Sequence, residues 1–265
     1  MMTVSKTTYD ERRPVSRPSV YTTCPTPFKR LTDNRQNILM VPSNILQRTL
    51  YIAHGAQSGT GFTIDIDGRQ YIVTAQHVVE RLSSNSSIKV MHKGTWSDVE
   101  IGDVWRSPTG ADIALLSPKI ALSPPLPLKV SNGKDFFLSQ QIYFLGFPFG
   151  LRMEAGLVNN DYPIPFVKTG IIANFSVMQP GSQLIYCDGH NNPGFSGGPI
   201  VTVSTTNEVT AIAVVSGYRF NEDHILLNGK NTGLTYQANT GLVIGYGLGE
   251  ILARIASAPT GAKLS

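Results

Sequence analysis

Short runs of β-branched and aromatic residues, separated by Gly, Asn, Asp, Ser and Pro, constrain the fold of this chain more than any other feature. From about residue 45 onward the runs are short and bounded by turn-forming residues, which is typical of an all-β sandwich or barrel. Only two helical stretches are predicted, a short turn at 78–82 and a C-terminal helix at about 248–257. Eleven runs are predicted as strands: 49–54, 61–65, 70–74, 88–92, 113–116, 141–147, 167–175, 184–187, 200–203, 209–216 and 242–244.

A proline-rich segment, residues 122–133, interrupts the strand pattern near the middle of the chain. The sequence therefore predicts a flexible basic leader (1–44), an N-terminal barrel (45–121), a connecting segment (122–133) and a C-terminal barrel with a C-terminal helix (134–265). Eleven strands are close to the dozen that two six-stranded barrels need. Residues 149–165 and 218–240 are rich in Asn and Gly and lack periodicity, so both are predicted as long loops that bind substrate or regulate.

The net charge of +4 lies entirely in the leader. Residues 1–35 hold seven Lys or Arg against three acidic residues, whereas the remaining 230 residues hold 15 of each kind. A basic globular face is therefore not supported, and we expect no nucleic-acid partner. The leader is predicted to be a solvated arm, with docking to an acidic partner as the alternative.

Two cysteines, Cys24 and Cys187, are too few for a secreted disulfide framework, and both are expected to be free thiols, with Cys187 filling the core. The first thirty residues contain no apolar run of the kind found in signal peptides. No later run approaches the roughly 18 apolar residues of a membrane span. The sequence therefore predicts a cytoplasmic protein without a membrane partner.

Three short strings carry residues suited to nucleophilic catalysis: TAQHVV (74–79), ADIALL (111–116) and NPGFSGGP (192–199). Hydrolysis of an amide needs a nucleophile, a base that takes its proton and returns it to the leaving amine, and a group that orients the base. Ser196, His77 and Asp112 are the candidates for these three roles. Their chain order, His then Asp then Ser, is one of three unrelated orders in which such a triad occurs.

The residues around Ser196 predict an oxyanion hole. Glycines at 194, 197 and 198 allow a tight turn that other residues cannot adopt, and this turn directs the backbone N–H groups of Gly194 and Ser196 at one point. The apolar neighbours of Asp112 indicate a buried carboxylate that needs a hydrogen-bond partner, for which the imidazole of His77 is suited.

At these strings and at SGTGFTI (58–64), the sequence resembles the trypsin-like serine proteases, over roughly residues 48–257 and most closely the bacterial HtrA and glutamyl-endopeptidase branches. The resemblance implies two antiparallel six-stranded β-barrels with an active site between them, a short C-terminal helix, no cofactor, and endopeptidase activity through an acyl-enzyme. It also implies that Ser216 and Gly217 form a strand edge that pairs with the backbone of a polypeptide substrate.

The sequence departs from the family at two places. Many secreted relatives have an Asp just before the nucleophile, and it pairs with a newly cut N-terminus; here that position is Phe195. About eight residues follow the last predicted helix, which leaves no room for the PDZ domain of HtrA proteins. Any control is therefore expected to come from a partner protein, a loop rearrangement or the leader.

The base of the substrate pocket is expected near residues 188–191, so His190 and Asn191 are candidate substrate-binding residues. His190 could present a cation to an acidic substrate residue, although an outward-facing His on a turn is the commoner outcome. The remaining histidines, His54, His92 and His224, have no spacing that suggests a metal site, and none is expected.

Three functions remain open from the sequence. The first is a serine endopeptidase. The second is a catalytically silent module that holds an extended peptide, and the third is a latent protease that a partner protein activates.

Overall fold

The computed structural model describes residues 41–178 and 182–264 of the chain. Most of the predicted leader, residues 1–44, therefore lies outside the described residues, and so does Cys24. The described part begins with Val41, which packs against the core, and with one helical turn, α1 (Ser43–Leu46), which buries Ile45. Within 41–178 and 182–264, no helix is both long and apolar enough to cross a bilayer.

The first barrel consists of six antiparallel strands: β1 (Thr49–His54), β2 (Gln57–Ile66), β3 (Arg69–Thr74), β4 (Ser86–His92), β5 (Thr95–Arg106) and β6 (Ala114–Pro118). Their order is β3-β2-β1-β4-β5-β6, and β6 pairs back with β3, where Leu116 lies opposite Ile72. This last pairing closes the barrel and leaves no unpaired edge among the six strands.

The second barrel follows the predicted connecting segment, which contains a two-residue strand, β7 (Lys129–Val130). Its six strands are β8 (Gln141–Gly146), β9 (Phe166–Met178), β10 (Ser182–Asp188), β11 (Pro199–Val203), β12 (Val209–Leu227) and β13 (Lys230–Gly247). They pair antiparallel in the order β11-β8-β9-β10-β13-β12, and β11 also pairs with β12. The prediction of two antiparallel six-stranded barrels is confirmed.

One cluster of buried side chains is shared by the two barrels and the C-terminal helix, α2 (Gly249–Ser257). It includes Phe62 of β2, Leu145 of β8, Val214 of β12 and Ile251 of α2, all fully buried. Full burial of such a side chain contributes roughly 1.5–3 kcal/mol relative to leaving it exposed. The shared cluster therefore packs the two barrels against each other.

Helix α2 also holds the loop that leads to Asp112. Glu250, in the first turn of the helix, accepts hydrogen bonds from Ser107 and Thr109, at 2.5 and 2.7 Å. Burial alone would raise the pKa of Glu250, but hydrogen bonds from Ser107, Ser182 and Thr109 together hold it below its ordinary value. After the helix, the chain returns to the first barrel through β14 (Ala262–Lys263), which pairs with β3.

The prediction of a long loop at 218–240 is wrong, because β12 and β13 continue as a two-stranded ribbon. Pairing runs as far as Leu227, which lies opposite Lys230. The turn between them is Asn228-Gly229, and both residues have positive φ (51° and 74°), as a two-residue hairpin turn requires. Most side chains of the ribbon are exposed, so no alternation of apolar and polar residues marks it as a strand.

Strand β5 was also not predicted. Val99 and Ile101 point into the barrel. Asp98, before Val99, and Glu100, between the two, are exposed. Acidic residues are depleted in strands, so this segment has little β-propensity of its own. By contrast, the loop predicted at 149–165 contains only two short 3-10 helices, Pro148–Gly150 and Gly156–Asn159, and one β-bridge.

A buried ion pair lies at the entry to the first barrel, between Arg48, just before β1, and Asp65 of β2. The Arg48 side chain is fully buried, and its guanidinium donates to the carboxylate of Asp65 and to the main-chain oxygen of Leu126. A buried charge is stable only while it stays paired and hydrogen-bonded. Arg48 therefore makes the entry to the first barrel dependent on Asp65.

We expect Asp65→Asn to lower the free energy of unfolding by about 3–5 kcal/mol, because it leaves the Arg48 guanidinium buried without its counter-charge. The matched control is Asp98→Asn, which breaks the exposed Lys89–Asp98 pair and should change stability by no more than about 1 kcal/mol. Urea unfolding of the two variants measures the difference. Equal losses would contradict this account of Arg48.

Candidate active site

His77 lies at the junction of the two barrels, in a 3-10 helix (Gln76–Val79) that directly follows β3. Val78 and Val79 are buried in the core of the first barrel, so they anchor the turn and leave the imidazole half exposed. The position of the ring is thus set by the strand before it and by the apolar residues after it.

The carboxylate of Asp112 accepts three hydrogen bonds. Two come from His77: the main-chain N–H donates to Oδ1 at 2.9 Å, and ring Nδ1 donates to Oδ2 at 2.7 Å. The third comes from the hydroxyl of Ser216 in β12, at 2.6 Å from Oδ2. Because the carboxylate accepts from Nδ1, the other ring nitrogen, Nε2, is left free to take a proton.

These contacts shift both titrating groups. The hydrogen bond to Asp112 raises the pKa of His77 above its ordinary value; the charges of Asp112 and Glu80 add to the rise, and burial opposes it. Burial alone would raise the pKa of Asp112, but the hydrogen bonds from His77 and Ser216 outweigh it and hold that pKa below its ordinary value. The pair is therefore suited to hold a proton on the imidazole while the carboxylate stays charged.

Ser196 lies in the loop between β10 and β11, and we call residues 190–196 the serine loop. Gly194 and Gly197 have φ of 103° and 87°, a region that other residues rarely adopt. A side chain at Gly194 would collide with the main-chain oxygen of Phe147, and one at Gly197 with that of Thr60. Glycine is therefore required at both positions, because any side chain there would clash with the backbone.

Thr60 of the first barrel holds the serine loop of the second. Its main-chain N–H donates to the oxygen of Ser196 at 2.8 Å, and its hydroxyl donates to the oxygen of Gly194 at 2.7 Å. Thr60 is fully buried, so these bonds are shielded from water. The conformation of the loop thus depends on the contact between the barrels.

The peptide unit between Pro193 and Gly194 has a defined orientation. The main-chain N–H of Phe149 donates to the oxygen of Pro193 at 2.8 Å. In a trans peptide the N–H points away from the carbonyl oxygen, so the N–H of Gly194 points to the opposite side. Phe149 makes this contact from a left-handed conformation, with φ of 53°.

The hydroxyl of Ser196 donates to the main-chain oxygen of Ser216 at 2.9 Å. Among the described residues it forms no hydrogen bond with His77. Ser216 therefore contacts both Asp112 and Ser196: its hydroxyl donates to the carboxylate of Asp112, and its main-chain oxygen accepts from the hydroxyl of Ser196. The structure brings His77, Asp112 and Ser196 into one connected network through this residue.

The predicted substrate-binding residues fall into two groups. His190 is exposed on the serine loop. Asn191 is fully buried, and its side-chain amide donates to the oxygen of Gly217 at 3.0 Å, while its own main-chain oxygen accepts from Asn239 at 2.7 Å. Asn191 thus joins the serine loop to β12 and β13, and the oxygen of Gly217 already has a partner.

The sequence did not predict the contacts that two side chains, Ser216 and Lys168, make at the site. Ser216 was predicted only as a strand edge, and its hydroxyl bond to Asp112 carries no local sequence signal. Lys168, on β9, binds the serine loop although it lies 28 residues before Ser196. Only the register of β8 with β9, which places Lys168 opposite Phe144, brings it there.

The described residues hold no cluster of three or more His, Cys, Asp or Glu that could bind a metal ion. Cys187 is a free thiol, fully buried in the second barrel, as predicted. Burial raises the pKa of this thiol to about 12. It is therefore an inert part of the core rather than a nucleophile.

Two antiparallel barrels, with a His-Asp pair contributed by the first and a glycine-rich serine turn by the second, define the chymotrypsin-like class of folds. A comparison with family models agrees: the model described as "Trypsin-like peptidase domain" matches residues 59–212. The chain belongs to the family of trypsin-like peptidase domains.

Individual relatives are distant. "Protease Do-like 1, chloroplastic" of Arabidopsis thaliana is 28% identical over 200 residues; the match covers 68% of this chain and 42% of that protein, so the chain spans less than half of its length. A structure of the Rv3671c protease in an inactive form has a TM-score of 0.52 at 18% identity, covering 86% of this chain and 96% of that one. The HtrA-type protease AlgW has a TM-score of 0.53 at 18% identity, covering 82% and 63%. Likeness at this level supports the fold.

We expect Asp112→Asn to lower the pKa of His77, because it removes the charge that stabilises the imidazolium and leaves only a neutral amide oxygen as an acceptor. Glu80→Gln should lower it less and only at low salt, because this exposed charge acts through solvent and is screened. The control is Glu208→Gln, on the exposed turn after β11. An NMR titration of the His77 ring protons measures all three. An unchanged pKa of His77 in Asp112→Asn would refute the role of Asp112 in stabilising the imidazolium.

Proposed function

We propose that the chain is a serine endopeptidase that cleaves polypeptides through an acyl-enzyme intermediate. Ser196 is the nucleophile, His77 the general base and acid, and Asp112 the group that orients His77. The observation that carries the proposal is the network around Ser216, which joins a correctly oriented imidazole to a serine in a glycine turn. Membership of the trypsin-like peptidase family supports the same chemistry.

The resting hydroxyl of Ser196 must change its partner before it can react. In the free protein it donates to the oxygen of Ser216. An extended substrate that adds to this strand edge offers a main-chain N–H to the same oxygen, because strand addition is made of such bonds. The hydroxyl is then released to donate to Nε2 of His77, and substrate binding prepares the nucleophile.

In the first step the oxygen of Ser196 bonds to the carbonyl carbon of the substrate, and its proton moves to Nε2 of His77. The charge that develops on the substrate oxygen faces the N–H groups of Gly194 and Ser196. Loss of one such donor typically costs about 10²–10³-fold in kcat. The Phe149–Pro193 hydrogen bond keeps the N–H of Gly194 directed to this point.

The proton then passes from His77 to the leaving amine as the carbon–nitrogen bond breaks, which leaves the acyl group on Ser196. In deacylation a water molecule bonds to the acyl carbon and gives a proton to His77. His77 returns that proton to the oxygen of Ser196 as the ester bond breaks. Asp112 remains a carboxylate throughout and stabilises the imidazolium in both steps.

We expect a fluorophosphonate probe to label Ser196 covalently, and Ser196→Ala to abolish both the labelling and the cleavage of an unfolded protein substrate. Ser97→Ala, an exposed serine on β5, is the matched control and should label and cleave as the unchanged chain does. Mass spectrometry of the labelled peptide locates the probe, and a peptide-library digest measures cleavage.

The alternatives give different results in the same experiment. A peptide-binding module would bind extended peptides without labelling or cleavage under any condition. A latent protease would label only after addition of a partner protein. Cleavage by the isolated chain at a rate that an added cell extract does not change argues against latency. Labelling at a residue other than Ser196 would refute the proposed mechanism.

A further inference from the structure

The serine loop must be held by something other than a new N-terminus, because the residue before Ser196 has no charge. The ring of Phe195 is fully buried and packs edge-on against Phe144, with 5.2 Å between ring centroids. A buried ring stabilises one end of the loop by packing. It does not supply the directional bonds that fix the peptide units before it.

Lys168 supplies such bonds. Its Nζ donates to the main-chain oxygen of His190 at 2.6 Å and also to the side-chain oxygen of Asn192. The same atom lies 5.4 Å from the centre of the Phe195 ring, within the range of a cation–π contact. One ammonium group therefore contacts three residues of the serine loop, at its start, its middle and its end.

The register of the strand that carries Lys168 places it beside the serine loop. Lys168 lies on β9 opposite Phe144 of β8, the same residue against which Phe195 packs. The side chain is half-buried, and its loss of water lowers the pKa of the ammonium. A cation without full hydration binds carbonyl oxygens and a ring face more strongly than it would in water.

We propose that Lys168 is a positioning residue that orders the serine loop, and so replaces an activating ion pair with an internal cation. The expected effect of Lys168 on turnover rests on the proposed function. The expected effect of Lys168 on the order of the serine loop does not. Lys168 acts through His190, Asn192 and Phe195 on the peptide that presents Gly194. It does not contact the reacting atoms.

The physical consequence is that loop order is complete once the barrel has folded. The ammonium group belongs to a side chain in the middle of a strand, so it needs no prior cleavage of the chain. Its removal should leave the barrel intact, since Phe144 and Phe195 still pack. The loop would then sample conformations in which the N–H of Gly194 points elsewhere.

We expect Lys168→Met to lower kcat by about 10- to 100-fold with little change in KM, because it leaves Ser196 and the strand edge in place but loosens one oxyanion donor. Labelling by the fluorophosphonate should slow to the same extent. Lys168→Arg keeps a cation and should recover part of the loss. Lys129→Met removes an exposed lysine of β7, the short strand that pairs with β12, and should leave both rates unchanged.

Amide hydrogen exchange tests the loop without reference to activity. Lys168→Met should accelerate exchange in peptides that cover residues 190–196, while peptides from β1 to β6 keep their protection. If the unchanged chain neither labels nor cleaves, the proposed function fails, and this measurement still decides the role of Lys168.

The inference is overturned if Lys168→Met labels at the rate of the unchanged chain, or if loop exchange stays the same. Equal losses in Lys168→Met and Lys129→Met would also overturn it, since they would indicate a general effect of charge. Should Lys168→Met not fold, Lys168→Gln takes its place, because it retains a donor but no cation; unchanged kcat and exchange in that variant overturn the inference equally.

Discussion

The carboxylate of Asp112 is the group on which the arrangement of the site depends. A partly buried carboxylate is costly unless its oxygens are hydrogen-bonded, and here the partners come from both barrels: His77 from the first and Ser216 from the second. The same bonds that compensate the buried charge therefore fix the imidazole and place the strand that contacts Ser196. The cost of burial favours this geometry, because loss of His77 or Ser216 would remove hydrogen bonds from the charge.

The serine loop shows the same dependence on both halves. Its turn is possible because Gly194 and Gly197 have no side chains, but Thr60 of the other barrel selects one conformation from those that glycine allows. Local sequence permits the turn and tertiary contacts choose it. The shared apolar cluster, from Phe62 to Ile251, keeps those contacts at hydrogen-bond distance.

Local patterns were sufficient to predict an all-β fold in two halves and to select His77, Asp112 and Ser196 as candidates, since short β-branched runs, glycine turns and a serine motif each lie within a few residues. The two antiparallel barrels were implied by the family resemblance. The local patterns did not reveal β5, whose acidic residues give it little β-propensity, or the ribbon of β12 and β13, whose strands have exposed faces and so lack apolar alternation. The turn Asn228-Gly229 was the one available signal for the ribbon. The hydroxyl of Ser216 and the ammonium of Lys168 depend on strand register, a property of the whole sheet that no single segment specifies.

The ribbon beyond the second barrel has its own energetics. Two strands with exposed faces gain little from burial, and an isolated pair of strands is marginally stable in water. Its backbone hydrogen bonds can therefore open with a smaller free energy than those of the barrel that supports it. The outer part of the ribbon can therefore open while the inner part of β12, which carries Ser216, keeps its place.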